Sequence, residues 1–434
     1  MADITIDGTT IGANRFLLLD STGKIPAVDG SQVTTIAAGN IATGTIPIAR
    51  IDTGTTANKI VKLDGNAKLP ALDGSLITNV SGATKSSSDP TISTNPSGGV
   101  GTEWHNTSTG KAYICTDATA GENVWTNVGA GTGNIAPYAF QGSNYGFCYG
   151  GYQHPSATRT ANVDRTSFTS DGDATDVGDM TVGADLWAGC SSVTYGYRAG
   201  GNPNTNIIDR ISFAATGTMS DVGDLTAAKN NVGGVSSETY GYVIGGVGTT
   251  NVIERFQFGA SANGADVGDL VTAAIAICGH SDTDNSYGYG SGGYGAPHLN
   301  VIQRFAMASS GNSTDVGDLV LSAAERAGHS STTDGYTTGK NETAASLNVI
   351  DKFAFASSAS GSDIGDMTYQ HHQASGTSST THGYTMGGGV QGGANAGQGS
   401  DHIEKFAYGS STSGSDIGNL PSQLGYLGQN GSQY

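Results

Sequence analysis

Long apolar runs are missing from this sequence of 434 residues. None approaches the roughly 20 residues that a membrane-spanning helix needs, so no membrane insertion is expected. No window has the length and 3.6-residue period of an amphipathic helix either, which leaves strands and turns. Charge is scarce, at 13% of residues, and basic charge is scarcer: 19 Lys and Arg face 37 Asp and Glu, a net −18. Phosphates need a basic footprint, so nucleic acid is excluded as a partner. Cys115, Cys148, Cys190 and Cys278 lie far apart without a Cys-x-x-Cys pair, which argues against a disulfide framework or zinc site and for buried free thiols. The start, Met1-Ala2-Asp3-Ile4-Thr5, lacks the basic residues and apolar run of a secretory signal, so synthesis and folding in a cytoplasm are expected. Neither a Gly-x-Ser-x-Gly elbow nor a phosphate loop is present, so no catalytic residue, cofactor or metal is assigned.

What is abundant is glycine, with 68 residues, and repetition. The word Asp-Val/Ile-Gly-Asp/Asn-Leu/Met occurs at Asp176–Met180, Asp221–Leu225, Asp266–Leu270, Asp315–Leu319, Asp363–Met367 and Asp416–Leu420, in steps of 45, 45, 49, 48 and 53 residues. Each copy joins four short runs: Tyr-Gly-Tyr-Val-Ile-Gly-Gly (Tyr240–Gly246), Asn-Val-Ile-Glu-Arg-Phe-Gln-Phe (Asn251–Phe258), the Asp word, and a small-residue run such as Ala323–Ser331. Runs this short, bounded by Gly, Asn and Ser, read as strands. A period of 40 to 50 residues indicates stacked or radial units rather than separate domains.

The double glycine followed by a Val-Ile-Glu-Arg-Phe strand resembles the kelch repeat, over about 290 residues, although the usual outer-strand tryptophan is absent. The resemblance implies an all-β fold with a six-bladed kelch-like β-propeller over residues 132–434. The tail Pro421–Tyr434 aligns with the small-residue run, and no further Gly-Gly strand follows it. It is therefore expected to complete the first blade and close the ring, which removes exposed strand edges.

The amino-terminal third has a repeat of its own. Leu19-Asp20-Ser21-Thr22-Gly23-Lys24-Ile25-Pro26 returns as Leu63-Asp64-Gly65-Asn66-Ala67-Lys68-Leu69-Pro70. These phrases resemble the stalk repeats of bacteriophage tail fibres, in which three chains wind together. The implied role for residues 1–82 is an extended homotrimeric stalk that joins other virion tail proteins. Its short apolar runs, Phe16–Leu19 and Ile60–Leu63, gain burial only when shared between chains. Residues 83–131 resemble the small hairpin modules of phage fibres, with Trp104, Tyr113 and Trp125 as a miniature core and Thr84–Pro96 as a flexible approach.

Together these resemblances imply a virion tail fibre protein that recognises a host-surface glycan or outer-membrane receptor. The alternatives are a polysaccharide-degrading tailspike or a purely structural virion component. From Phe168 to Asp176, and through every copy to Tyr408 and Asp416, the third connection keeps a length of 8 residues, whereas the connection after the double glycine varies. Variable loops on a rigid scaffold are where binding sits, which makes Tyr152, His154, Arg159, Asn202, Asn204, Tyr294, His298, Lys340, Asn341, Gln391, Asn395 and Gln398 the candidate ligand contacts. The Asp words are read as turns before calcium ligands. Arg165, Arg210, Arg255, Arg304, Lys352 and Lys405 are expected to pair with carboxylates between blades. His280 and His329 share one slot near a central channel, and His371, His372 and His382 are the weakest of the metal candidates.

Overall fold

The computed structural model describes residues 82–129, 138–248, 250–259, 261–341, 346–356, 358–390, 398–409 and 411–433, together with Ser21 and Ile135. The chain divides into two units, Met1–Ala83 and Thr84–Tyr434. The stalk expected at 1–82 lies outside the described residues apart from Ser21 and Gly82. Among the described residues there is no helix: the second unit is all-β, built from small, mainly antiparallel sheets in a propeller-like arrangement.

The first sheet is β1 (Thr84–Ser86), β2 (Glu103–Asn106), β3 (Ala112–Asp117) and β4 (Val124–Asn127), in that order. Tyr113, Cys115 and Trp125 form its core, and Trp104 meets Trp125 edge to face at 5.8 Å. Thr84–Pro96 is not a loose approach: β1 pairs in parallel with β2, Asp89 takes Lys111 at 3.0 Å, and Asn123 bonds the Ile92 carbonyl and Asn95. A module this small has too little apolar area to leave its polar segments unused.

The repeats follow as β5 (Tyr145–Gln153), β6 (Thr158–Ser167), β7 (Thr175–Asp179), β8 (Ala188–Ser191), β9 (Tyr195–Ala199), β10 (Thr205–Ser212) and β11 (Ser220–Lys229). Then come β12 (Gly233–Ser236), β13 (Tyr240–Ile244), β14 (Val252–Gln257), β15 (Gly264–Asp269), β16 (Cys278–Asp282), β17 (Tyr287–Ser291), β18 (Val301–Ala306) and β19 (Thr314–Asp318). The last are β20 (Ala327–Ser330), β21 (Asp334–Asn341), β22 (Ser346–Ala354), β23 (Ser362–Asp366), β24 (Ser375–Ser378), β25 (His382–Met386), β26 (Gly389–Val390), β27 (Gln398–Ala407), β28 (Ser415–Gly425) and β29 (Ser432–Gln433). Each sheet opens with the small-residue run and ends with the Asp word, as in β12-β13-β14-β15. The Asp416 word belongs to β28, which also pairs with β5 through Leu424 and Gln153, while β29 pairs with the same edge of β5 nearer its start, through Ser432 and Phe147. The innermost strands β8, β12, β16, β20, β24 and β29 touch in a closed cycle.

Aromatic pairs seal the junctions between sheets. Tyr197 packs on Phe256, Tyr242 on Phe305, Tyr289 on Phe353, Tyr336 on Phe406, and Tyr384 on Phe168 at 4.5 Å. The glycine before each of these tyrosines in the later repeats makes room for this. Gly241, Gly288, Gly335 and Gly383 sit opposite those phenylalanines, and a Cβ there would lie 2.3 to 2.4 Å from a ring carbon. The four cysteines are buried free thiols, and burial pushes the Cys190 and Cys278 thiols up to about 12.

The axis is closed by the tail rather than left as a channel. Asn430 lies among the innermost strands: its Oδ1 accepts the Gly234 and Gly279 N–H at 3.2 and 3.1 Å, and its Nδ2 donates to the Gly279 and Gly328 carbonyls at 2.9 and 3.3 Å. Around it, a Cβ at Gly189, Gly234, Gly279 or Gly376 would come within 2.0 to 2.3 Å of a backbone oxygen, which is why the small-residue run carries glycine there. His280 and His329 consequently do not face a channel. His280 Nδ1 bonds the His329 carbonyl and His329 Nδ1 the Thr377 carbonyl, each at 3.0 Å, tying one inner strand to the next.

Candidate functional site

The two ends of the axis differ in kind. At one end lie the turns from the first to the second strand of each sheet and from the third to the fourth. The 8-residue turns there bond the outer strand of the neighbouring sheet: Ala262 N–H to the Val222 carbonyl at 2.7 Å, Gly311 to Val267 at 2.7 Å, Ala359 to Val316 at 2.6 Å and Thr412 to Ile364 at 3.0 Å. Their constant length is therefore a packing requirement. In all six Asp words the first Asp accepts the glycine N–H two residues on, at 3.1 to 3.3 Å, which accounts for it as a turn residue.

The basic residues of the third strands also belong to this end. They do not form the expected pattern of ion pairs between sheets. The Arg165, Arg210, Arg255 and Arg304 guanidiniums lie over Tyr145, Tyr195, Tyr240 and Tyr287, 4.1 to 4.4 Å from the ring centroids, because strand register sets each of them across from its own sheet's tyrosine strand. Lys352 pairs with Asp334 of its own sheet at 3.2 Å, and Lys405 alone reaches a neighbouring repeat, at Asp171. The segment Tyr138–Gly142 covers the axis here: Tyr138 Oη donates to the Ser191 carbonyl at 2.9 Å, Gln141 Nε2 to the Ser330 carbonyl at 3.0 Å, and Gly142 N–H to the Ser378 carbonyl at 2.9 Å. Beside it, a cleft is lined by Ile92 and Glu122 of the small module and by the turns at Ser237–Tyr240 and Thr283–Ser286.

The opposite end carries the variable connections. Its centre is a ring that no sequence motif announces. Leu186, Asn231, Ala276, Glu325, Gln373 and Tyr426 occupy equivalent places just before or within the approach to the inner strands, and all six have left-handed φ, from 51° to 61°. Their backbones close a circle of hydrogen bonds: Asn231 N–H to the Leu186 carbonyl, Ala276 to Asn231, Glu325 to Ala276, Gln373 to Glu325, Leu427 to Gln373, and Leu186 to Tyr426. A non-glycine residue in this region costs about 1 kcal/mol, which the circle of bonds offsets.

Around the ring the structure brings together part of the predicted set. Tyr152 meets His154 at 5.3 Å and Tyr426 at 5.7 Å, both edge to face, with the Arg159 guanidinium 6.0 Å from the Tyr152 ring. Arg159 Nε donates to Asp185 Oδ2 at 2.9 Å, and Asn202 exchanges two backbone bonds with Asp185. Burial raises the Asp185 carboxyl, and the Arg159 charge opposes this. Gly399, next to Gln398, packs against the His154 ring. Tyr294 and His298 meet edge to face at 5.1 Å in another sector, and Asn204 is tied to Asn230. Tyr152, Arg159, Lys340, Asn341 and Gln398 stand on strands rather than in loops, because β5–β6, β21–β22 and β26–β27 extend beyond the double glycine as hairpins. Gln391 and Asn395 lie outside the described residues, as do the side chains of Lys340 and Asn341. Asp185 and Tyr426 were missed; neither sits in a connection after a double glycine, which was the signal used.

Exposed apolar groups are asymmetric as well. Of the ring's described exposed large hydrophobics, Val182, Val247, Val271, Tyr294, Val320 and Tyr426 are on the variable end and only Val193 is on the other.

A second cluster sits at the rim. Tyr369 and His402 stack at 3.7 Å, Tyr369 Oη donates to Asp416 at 3.2 Å, and His371 Nδ1 is 3.7 Å from Glu404. Burial pushes the Glu404 carboxyl up to about 7 and holds His371 down at about 4. A general acid is not the best account of Glu404. It accepts the Thr368 N–H at 2.6 Å, and Gln303 holds the equivalent Thr272 N–H at 2.7 Å without any charge, so this position secures the connection between sheets. His382 begins β25 at the other end and bonds Thr381, so it does not join His371 and His372.

No family model matches this chain, and no curated protein is similar to it. Among solved structures, that of YjhT is similar at a TM-score of 0.48, with 11% identity over 57% of this chain and 87% of that one. At that level of likeness nothing is carried over to this chain.

Proposed function

We propose that the chain is a virion tail fibre protein. In this reading residues 1–82 form a trimeric stalk bound to other tail proteins, and residues 83–131 are a connecting module. A six-bladed kelch-like propeller then recognises a host-surface polysaccharide. The observation that carries the reading is the asymmetry of the two ends. One end is consumed by contacts between neighbouring sheets, by the Tyr138–Gly142 segment and by the module. The other presents the variable hairpins, the aromatic clusters and, among the described residues of the repeats, all but one of the exposed large apolar side chains. Such exposure marks a surface kept for a partner. The phage-like phrases of residues 16–130 supply the biological setting.

The test is adsorption of the labelled full-length protein to a panel of bacterial strains. Binding should be lost on changing the variable end, as with Tyr152→Ala plus Tyr294→Ala, and kept on changing Val193→Ser at the opposite end. Adsorption to none of the strains, or loss only with the Val193 variant, rejects the reading. Electron micrographs of the same protein should show three rings on one stalk.

A further inference from the structure

The half-exposed tyrosine of the left-handed ring is the feature left unexplained by packing. Five of the six equivalent positions hold Leu186, Asn231, Ala276, Glu325 and Gln373, so the ring's backbone demands no particular side chain. Leu186, Ala276 and Gln373 are buried, yet Tyr426 is 42% exposed. A bulky aromatic held at φ 54° and left in water gives the fold nothing that Asn or Gly would not give at lower strain. Beside it the Tyr152 ring stands at 84°, so the pair offers two faces at right angles.

The charged groups at this place are matched, one exposed cation over one buried carboxylate. Arg159 has only its Nε engaged by a side chain among the described residues, at Asp185 Oδ2. The Asp185 side chain is 3% exposed and is held by the Asn202 side chain as well as by Arg159, so it offsets the guanidinium charge from beneath. One cation against one buried carboxylate leaves no surplus positive charge. The surroundings are acidic: residues 132–434 carry 11 Lys and Arg against 26 Asp and Glu. An anionic sugar would meet net repulsion here, whereas a neutral one would not.

We propose that Tyr426, Tyr152 and the Arg159–Asp185 pair form a subsite for an uncharged pyranose of the recognised glycan. The inference rests on the reading that this end binds a host polysaccharide, and narrows it. The C–H face of the sugar lies on the Tyr426 ring, and its hydroxyls accept from the exposed part of the Arg159 guanidinium, which the buried Asp185 carboxylate holds in place. Asn202, bonded to Asp185 through the backbone, fixes the carboxylate's position.

The experiment uses full-length protein against immobilised neutral polysaccharides (mannan, galactan, dextran and oligomeric N-acetylglucosamine) and against polygalacturonate and polysialic acid. Tyr426→Ala and Arg159→Gln are run beside the wild type, with thermal unfolding as a check on the fold. A neutral polysaccharide should bind, with little change between low and high salt. Tyr426→Ala should weaken it about tenfold while melting like the wild type, as expected for loss of one aromatic stacking contact. Tighter binding to the acidic polymers that collapses in salt overturns the proposal, and so does unchanged affinity in a folded Tyr426→Ala. Binding to no neutral polymer while cells still adsorb through this end overturns the subsite but leaves the functional reading standing. Adsorption to no cells rejects that reading itself.

Discussion

The two ends of the axis are made by the same repeat, yet only one of them obeys it. At the turn end every copy keeps its 8-residue connection, and the N–H groups of those turns are given to the neighbouring sheet. At the variable end the six ring residues share one backbone conformation but have unrelated side chains, and the hairpins beyond the double glycines differ in length. Repetition is enforced where strands and turns hydrogen-bond one another, because a changed length would leave buried backbone groups unpaired. Where the chain meets only water, no such penalty acts.

The largest effect should come from the part of the axis that both ends depend on. Removing Leu427–Tyr434 deletes β29 and Asn430 together, exposing the edge of β5. Loss of a cooperative unfolding transition and aggregation on size-exclusion chromatography are expected. A soluble truncated protein with the wild-type melting temperature would mean that the tail does not hold the ring.

A single change at the same place is gentler. Asn430→Ala leaves the Gly234 and Gly279 N–H groups without their acceptor, which should cost about 3 kcal/mol in urea unfolding. The proposed glycan binding should not change, since Asn430 is buried. If affinity falls with stability, the separation between scaffold and binding end is not real.

The pH profile sharpens the contrast further. Burial lowers His280, His371 and His372 to about 4 and His329 to about 3. Below the ordinary histidine value of 6.5 the unfolded chain takes up protons that the fold refuses, so these groups lose stability as pH falls from 6.5 to about 4. Asp164 and Glu404, raised to about 7, act in the opposite sense: the fold takes up their protons first, and they add stability as pH falls from 7. Four histidines against two carboxylates give a net decline in melting temperature on acidification, reduced in a His280→Gln, His329→Gln variant. A wild-type melting temperature that rises steadily from pH 6.5 to 4.5 would contradict the histidine assignment.

The smallest effect on stability is expected from replacing residues 391–397 by an Asn-Gly pair, a two-residue hairpin turn. Val390 and Gln398 already pair across the base of this insertion, so its removal shortens a hairpin without touching a sheet, at a cost of no more than about 0.5 kcal/mol. A large fall in melting temperature would show that the insertion packs on the ring.

Much of the scaffold was legible before the structure. Strand positions, the Asp turns, buried cysteines, the aromatic core of the small module and the tail's place beside β5 all follow from patterns with a local cause: alternation, turn chemistry and a missing final repeat. The site was only half legible. Tyr152, His154 and Arg159 stand out because they follow a double glycine, whereas Tyr426 and Asp185 come from a different part of the repeat, and the meeting of Tyr426 with that hairpin depends on β28 of the last repeat pairing with β5 of the first. The arginines were misplaced for a related reason: the sequence places an acid beside each of three of them, but strand alternation sends neighbours to opposite faces and delivers the guanidinium to a tyrosine.

By itself, then, the sequence determined the all-β character, the repeat and its turns, since these depend on residues close together in the chain. Tertiary structure alone decided that the axis is plugged by Asn430, that six non-glycine residues accept a left-handed backbone, and that one of them presents a tyrosine to solvent. Each of these depends on hydrogen bonds or contacts between residues tens to hundreds of positions apart, and no local preference encodes such a partner.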